Sequence, residues 1–290
     1  TPTDAHPVSL PYDKLEPPTW GGPVPEPVDR DPFTLGDVVV DPPVVLSPMA
    51  AVTNPPYRMI CREMGAGLVV TEMIHARGLA DGNEHCLEML DIRPSEHPVC
   101  VQIYGKDPDE MAAGAQVVEE AGADAVDVNM GCPMRKVVSS GHGAALLQQP
   151  ERVRRIFDAI SSAVDIPVTG KIRAGWEDAN AIDVGRAMAD GGAVSVTIHG
   201  RTRSEKYDGH ADLAVIRRLV EAVDDLAVVG NGDVKDWISA RRMFSVTGCA
   251  GVVVARGALG NPWIFRALAA DLRGDRVPDP PALEEKRRTI

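Results

Sequence analysis

The residues able to do chemistry in this chain share one place in the local pattern. Each lies at or just past the end of a short run rich in Val and Ile. In order they are Pro48-Met49-Ala50, Glu72, Gln102, Asn129 with Cys132, Lys171 with Arg173, His199, Asn231-Gly232-Asp233 and Ala255-Arg256-Gly257. Cys132 stands beyond its run in Asn129-Met130-Gly131-Cys132-Pro133, followed by the flexible composition Ser139-Ser140-Gly141-His142-Gly143. A free thiol has a pKa of about 8.5, is mostly protonated at neutral pH and can act as a general acid. No base is obviously paired with it, which disfavours a cysteine hydrolase. Cys100 begins an apolar run, and Cys61 and Cys249 fall on helix faces, so these three are expected in the core. Taken singly, a strand-end Lys is most often a salt-bridge partner and a lone His a satisfied core donor. So many polar side chains ending otherwise apolar strands point instead to an active site.

The elements that must position them alternate. Apolar runs at 44–49, 68–73, 99–104, 125–130, 168–172, 194–198, 227–230 and 251–255 are apolar on both faces, as buried parallel strands are. Amphipathic segments at 108–121, 150–163, 179–190, 212–222, 236–244 and 262–272 read as helices, while 76–90 is less regular. Residues 34–40 and 44–48 read as a short strand pair leading in. Strand followed by helix, repeated around one sheet, predicts an α/β fold of the (β/α)8 TIM-barrel type over residues 33–273. A doubly wound sheet is the alternative, but no G-x-G-x-x-G follows any strand. In a barrel the C-terminal strand ends share one mouth, and the loops after strands seven and eight form a common phosphate site. The Gly-containing turns at 231–233 and 255–257 fall there, with Arg256 able to add a charge-assisted bond. A phosphate-bearing ligand is therefore expected.

Composition narrows the class. The chain has 290 residues, 44% of them apolar and 25% charged, which is ordinary for a folded soluble protein. No run of about 18 apolar residues is present, so no transmembrane helix is expected. Residues 1–32 hold nine of the 24 prolines and read as an extended N-terminal arm; they lack a basic start and an apolar stretch, so no signal peptide is visible. The chain does not begin with Met, which leaves a processed or trimmed start open. Residues 274–290 read as a Pro-rich linker and the first turns of a truncated helical domain. The five cysteines form no C-x-x-C pair, so reduced thiols in a cytoplasmic protein and no metal site are expected. The net charge of −12 excludes a wholly basic nucleic-acid binder but leaves room for a local basic patch.

The ordered motifs resemble the tRNA-dihydrouridine synthases, a family of FMN-dependent barrels. The resemblance rests on Ser47-Pro48-Met49-Ala50, Thr71-Glu72-Met73, Val101-Gln102-Ile103-Tyr104-Gly105 and Asn129-Met130-Gly131-Cys132-Pro133, then Gly170-Lys171-Ile172-Arg173, His199-Gly200-Arg201-Thr202-Arg203, Asn231-Gly232-Asp233 and Arg256-Gly257. It runs in order from about residue 44 to 268; the Asn-Met-Gly-Cys-Pro and His-Gly-Arg-Thr-Arg segments together are highly specific. It implies reduction of particular tRNA uridines to 5,6-dihydrouridine, with NADPH reducing FMN, hydride passing to uracil C6 and Cys132 protonating C5. Pro48, Met49 and Ala50 would line the flavin ring, with Gln102 and Lys171 at its polar edge and His199 also in contact. Asn231, Gly232, Asp233, Ala255 and Arg256 would hold the phosphate. Asn129 and Arg173 would hold the uracil. Arg201 and Arg203, with Arg135, Lys136, Arg173 and Lys206, would form a positive rim for RNA, Arg201 and Arg203 being the stronger candidates and Arg135 and Lys206 as readily solvated loop charges. Ala255 departs from the family's usual Gly, and the family's helical domain is lacking beyond its first turns, so weak tRNA binding is expected. A monomer acting on tRNA, with no membrane and no metal, completes the expectation. Three rivals stay open: an FMN barrel reducing or oxidising a free pyrimidine, an aldolase using Lys171 as a Schiff-base nucleophile, and a non-catalytic RNA-binding barrel.

Overall fold

A computed structural model of the chain describes residues 25, 26, 28 and 30–289. Most of the expected N-terminal arm lies outside the described residues. Its described end runs along one outer helix, where the Arg30 guanidinium sits 5.6 Å from the Phe244 ring and donates to the Phe244 carbonyl at 3.2 Å.

The chain first forms a hairpin of Phe33–Leu35 (β1) and Val38–Val40 (β2). This corrects the expectation of one strand over 34–40 paired with 44–48. Gly36, at φ +54°, reverses the chain inside that stretch. Pro42 and Pro43 then offer no N–H groups to an antiparallel partner, and Val44–Leu46 (β3) pairs in parallel with Val252–Val254 instead.

The barrel strands that follow are Leu68–Val70 (β4), Val99–Tyr104 (β6), Ala125–Met130 (β7), Val168–Arg173 (β8), Ser195–His199 (β9), Ala227–Asn231 (β10) and Gly251–Val254 (β11). Every pairing between neighbours is parallel, and β4 pairing with β6 closes the ring. The run 68–73 does not stay one strand. It breaks after Val70, and Ile74–His75 (β5) lies against the upper end of β6.

Around the ring stand Pro55–Glu63 (α1), Ala76–Ala80 (α2), Glu84–Met89 (α3), Pro108–Glu120 (α4), Arg135–Val138 (α5), Pro150–Ser161 (α6), Ala181–Asp190 (α7), Leu213–Ala222 (α8), Trp237–Thr247 (α9), Ile264–Leu272 (α10) and Leu283–Thr289 (α11). The irregular stretch 76–90 is two helices because Gly82 turns the chain at φ +68° and Asn83 caps the second by accepting from the Cys86 N–H. Asp107 with Pro108 starts α4 in the same manner. The helix α11 falls where the first turns of a further helix were expected, joined to α10 by an Arg266–Glu285 ion pair of 2.7 Å.

Alternation along the strands sorts the side chains. On β7, Val126, Val128 and Met130 join the core shared with the helices, while Ala125, Asp127 and Asn129 face the barrel interior. At the bottom of that interior Phe33, Leu35 and Val40 of the hairpin pack on Val45, Val70, Cys100, Ala125 and Val253. Burying each such side chain stabilises the barrel by about 1.5–3 kcal/mol. Gly251 admits the plug, since a Cβ there would lie 2.6 Å from the Phe33 ring. Cys61, Cys100 and Cys249 are all buried, as expected. Above the plug the inner face turns polar.

Candidate active site

A cavity of about 500 Å³ opens at the C-terminal ends of the strands. Pro48, Met49, Ala50, Gln102, Lys171, His199, Asn231, Gly232, Asp233, Ala255 and Arg256 all line it, as do Asn129, Cys132 and Arg173. Residues far apart in the chain thus meet because each ends a parallel strand of one closed ring.

At one end of the cavity the chain makes a left-handed turn. Gly232 has φ +124° and Asp233 φ +56°. A Cβ at Gly232 would meet Ala211 at 2.5 Å and the His199 ring at 3.0 Å, so only Gly fits. The Asp233 carboxylate is taken up by its neighbours: it accepts from Arg201 Nη2 at 2.7 and 3.0 Å and from the Ala211 N–H at 2.8 Å. Its part is to hold the turn. The Arg256 guanidinium lies 3.6 Å from Asp233 and is 45% exposed. Ala255 has φ −111°, so its departure from Gly carries no left-handed strain.

The floor carries the titratable groups. Lys171 Nζ donates to Asn231 Oδ1 at 3.0 Å. Burial, with the Arg173 charge nearby, brings its ammonium down to about 8. Burial first, then the charges of Lys171, Arg173, Arg201 and Arg256, holds His199 well below the usual imidazole range, so it is neutral. Arg201 Nη1 lies 3.2 Å from His199 Nε2, and because a guanidinium only donates, the imidazole proton is assigned to Nδ1. The Pro48–Ala50 wall is held by a tight turn in which Ala51 takes φ +61° and donates its N–H to Glu72.

A chain of side-chain hydrogen bonds crosses the other half of the floor. Thr169 Oγ1 and Gln102 Nε2 both donate to Asp127, at 2.8 and 2.7 Å. Asn129 Nδ2 donates to Gln102 Oε1 at 2.7 Å, and the Cys132 N–H donates to Asn129 Oδ1 at 3.0 Å. The Cys132 carbonyl accepts from the Ala144 N–H at 3.1 Å. Gly143, at φ +59°, packs so tightly on Cys132 that a Cβ would lie 2.9 Å from its carbonyl oxygen. The stretch 139–143, expected to be flexible, is the turn that joins α5 to a 3-10 turn, Gly143–Gln148. Cys132 itself is half-buried and lines the cavity.

Two arginines lie elsewhere than expected. Arg201 is 1% exposed and spends its donors on the Asp208 and Gly209 carbonyls, His199 and Asp233. The expected contact with RNA is corrected: it braces the site from below. Arg203 stacks 4.3 Å from the Trp176 ring and does not line the cavity. Arg173 lines it but is largely engaged, donating to the carbonyls of Gly131, Thr202 and Lys206. The exposed cations of the expected rim are Arg135, Lys136 and Lys206, the reverse of the sequence ranking.

Sequence reasoning missed Asp127, Tyr207 and Lys235. Tyr207 lines the cavity with its ring 5.4 Å from the Arg173 guanidinium and 5.1 Å from that of Arg256. It lies eight residues past its strand end, out of reach of any strand-end rule. Asp127 was legible, because two residues before Asn129 on a strand means the same inward face. Among the described residues no cluster of three or more His, Cys, Asp or Glu side chains is placed to hold a metal. No helix of the described residues is long and apolar enough to cross a membrane.

Comparison with known proteins agrees with this geometry. The family model for dihydrouridine synthase matches residues 45–289. A probable tRNA-dihydrouridine synthase of Rhodobacter capsulatus is 40% identical over 266 residues, covering 87% of this chain and 79% of that protein. A probable tRNA-dihydrouridine synthase of Mycobacterium tuberculosis is 41% identical over 268 residues, covering 87% and 68%. The tRNA-dihydrouridine synthase B of Klebsiella pneumoniae is 40% identical over 249 residues, covering 84% and 77%. Among solved structures, histamine dehydrogenase from Rhizobium sp. 4-9 superposes with a TM-score of 0.65 at 13% identity, over 84% of this chain and 48% of that one. A 2-naphthoyl-CoA reductase with 2-naphthoyl-CoA gives 0.66 at 11% identity, over 85% and 52%. At those identities the structural likeness speaks for the barrel alone. The sequence matches reach further, for they span every strand end that builds the cavity, and the chain belongs to the dihydrouridine synthase family.

Proposed function

We propose that the chain reduces uridine in tRNA to 5,6-dihydrouridine, with FMN in the cavity, NADPH as reductant and Cys132 as proton donor. The observation that carries this reading is the cavity's lining: the left-handed Gly232-Asp233 turn and the Arg256 guanidinium, suited to a phosphate, share one space with Cys132. The residues fit a flavin phosphate at that turn, the apolar Pro48–Ala50 wall against its ring, and donors from Gln102 and Lys171 at its polar edge. When bound, the flavin supplies the hydride for C6 of the uracil.

The chain's own residues do the rest. Asn129 has one amide N–H left after donating to Gln102, and Arg173 lines the cavity beside Tyr207. Both can hold the uracil carbonyls. Cys132 delivers its thiol proton to C5, a general-acid role worth about 10²–10⁴-fold in rate. The uridine must leave its stack to enter the mouth, at a cost of about a few kcal/mol. Arg135, Lys136 and Lys206 attract the flanking phosphates, which makes binding salt-dependent. In this reading the enzyme is a monomer acting on tRNA in the cytoplasm.

The test is direct. Protein loaded with FMN is reduced anaerobically with NADPH, then mixed with unmodified tRNA while the flavin absorbance is followed. Bleaching by NADPH and recovery with tRNA, accompanied by dihydrouridine, is the expected result. Recovery with free uracil or dihydroorotate chemistry in place of tRNA would move the assignment to a free pyrimidine. The lowered Lys171 favours the aldolase rival in one respect, and borohydride trapping of a carbonyl substrate on Lys171 would establish it.

A further inference from the structure

Asp127 belongs to no cofactor or substrate contact yet described, but it anchors the side-chain hydrogen-bond chain that runs from the barrel floor through Gln102 and Asn129 to the Cys132 N–H. Its cross-strand neighbours in register are Gln102 on β6 and Thr169 on β8. Burial raises its carboxyl to about 6, and the bonds from Gln102 and Thr169 with the Lys171 charge hold it from going higher, so at neutral pH it is chiefly ionised. An ionised carboxylate only accepts hydrogen bonds. That single fact orients the two amides next in line. Gln102 must turn its NH₂ to Asp127, which turns its oxygen to Asn129. Asn129 must then turn its NH₂ to Gln102, which leaves its oxygen for the Cys132 N–H. Amide groups are otherwise free to flip, and a flipped Asn129 would face the Cys132 N–H with another donor.

We infer that Asp127 is a positioning residue that sets the donor direction of Gln102 and Asn129 and thereby seats Cys132. As a further consequence, the spare N–H groups of both amides are presented to the cavity, where ring carbonyls need donors. The inference rests on the reading of Cys132 as proton donor only for its catalytic consequence; the seating itself is independent of it.

The experiment uses FMN-loaded full chain labelled with ¹⁵N-cysteine, in which the Cys132 amide is identified by its loss in Cys132→Ser. Asp127→Leu removes the acceptor, Asp127→Asn keeps a carbonyl for Gln102, and Gln102→Met cuts the chain one link further on. Asp127→Leu and Gln102→Met are each expected to shift the Cys132 amide signal and raise its hydrogen exchange about tenfold, the loss of one ordinary hydrogen bond. Asp127→Asn, whose amide can present either its carbonyl or its NH₂ to Gln102, is expected to fall between wild type and Asp127→Leu. In the Gln102→Met background, Asp127→Leu should add nothing, because coupled residues are non-additive. Reoxidation of the reduced enzyme by tRNA should follow the same pattern. An unmoved Cys132 amide in either Asp127→Leu or Gln102→Met, or additive effects of the two, overturns the inference. Should Asp127→Leu not fold, seen as loss of the Cys61 and Cys249 signals, Asp127→Asn takes its place, and a Cys132 amide unmoved from wild type in that variant overturns the inference. If wild type is not reoxidised by tRNA, the functional reading fails while the amide signals still judge Asp127.

Discussion

Replacing Arg201 by Met separates a brace under the site from an RNA contact at its rim. Arg201 is buried, and its partner Asp233 has a side chain only 9% exposed. Without the guanidinium, Asp233 keeps the Ala211 N–H and a distant Arg256 at 3.6 Å. Breaking one side of such a buried pair costs about 3–5 kcal/mol, because the remaining charge is left uncompensated. For a domain of this size each kcal/mol lowers Tm by about 2–4 °C, so Arg201→Met should melt about 6–20 °C below wild type. The Gly232-Asp233 turn relaxes with it, and FMN affinity should fall at least about tenfold, the loss of one charge-assisted bond. Adding Asp233→Asn removes the stranded charge and should recover more than half of the lost Tm. The assay is thermal denaturation with and without FMN, beside a flavin fluorescence titration and tRNA binding at fixed salt. A Tm within about 1 °C of wild type combined with about tenfold weaker tRNA binding would refute the reasoning, and would return Arg201 to the RNA rim.

Three further outcomes follow from the same geometry. Cys132→Ala should retain FMN and its reduction by NADPH while slowing tRNA-dependent reoxidation by about 10²–10⁴-fold, measured by stopped-flow absorbance; an unaffected reoxidation would remove the thiol from the mechanism. Arg256→Ala should weaken FMN binding by about 10- to 150-fold, and riboflavin, which has no phosphate, should not distinguish it from wild type. Because Lys171 in the ligand-free chain loses its proton through about 8, FMN binding above that pH must restore the proton. If only the protonated form binds, Kd rises about tenfold between about pH 7 and about pH 9 in wild type and is flat in Lys171→Met; a flat wild-type profile would show that binding does not need the ammonium.

Much of this molecule was legible as one-dimensional pattern. Buried parallel strands need apolar side chains on both faces, so the runs ending at Tyr104 and Met130 announced their own boundaries. A barrel then puts all strand ends at one mouth, so the lining of the cavity could be named without distances. Where a local rule was in conflict with a neighbour's, the reading slipped. Gly36 and the Pro42-Pro43 pair turned one expected strand into a plug, and Gly82 split one expected helix.

What only the tertiary structure decided was the direction in which polar side chains spend their donors. Arg173, Arg201 and Arg203 look alike beside their strands, yet the first lines the cavity, the second is sunk beneath it and the third is stacked on Trp176. No local rule separates them, because their partners, Gly131, Asp233 and Trp176, arrive from other loops. The strand-end pattern brought Gln102 and Asn129 to one mouth and passed over Asp127. Their order as a chain of oriented hydrogen bonds exists only where three strands lie in register.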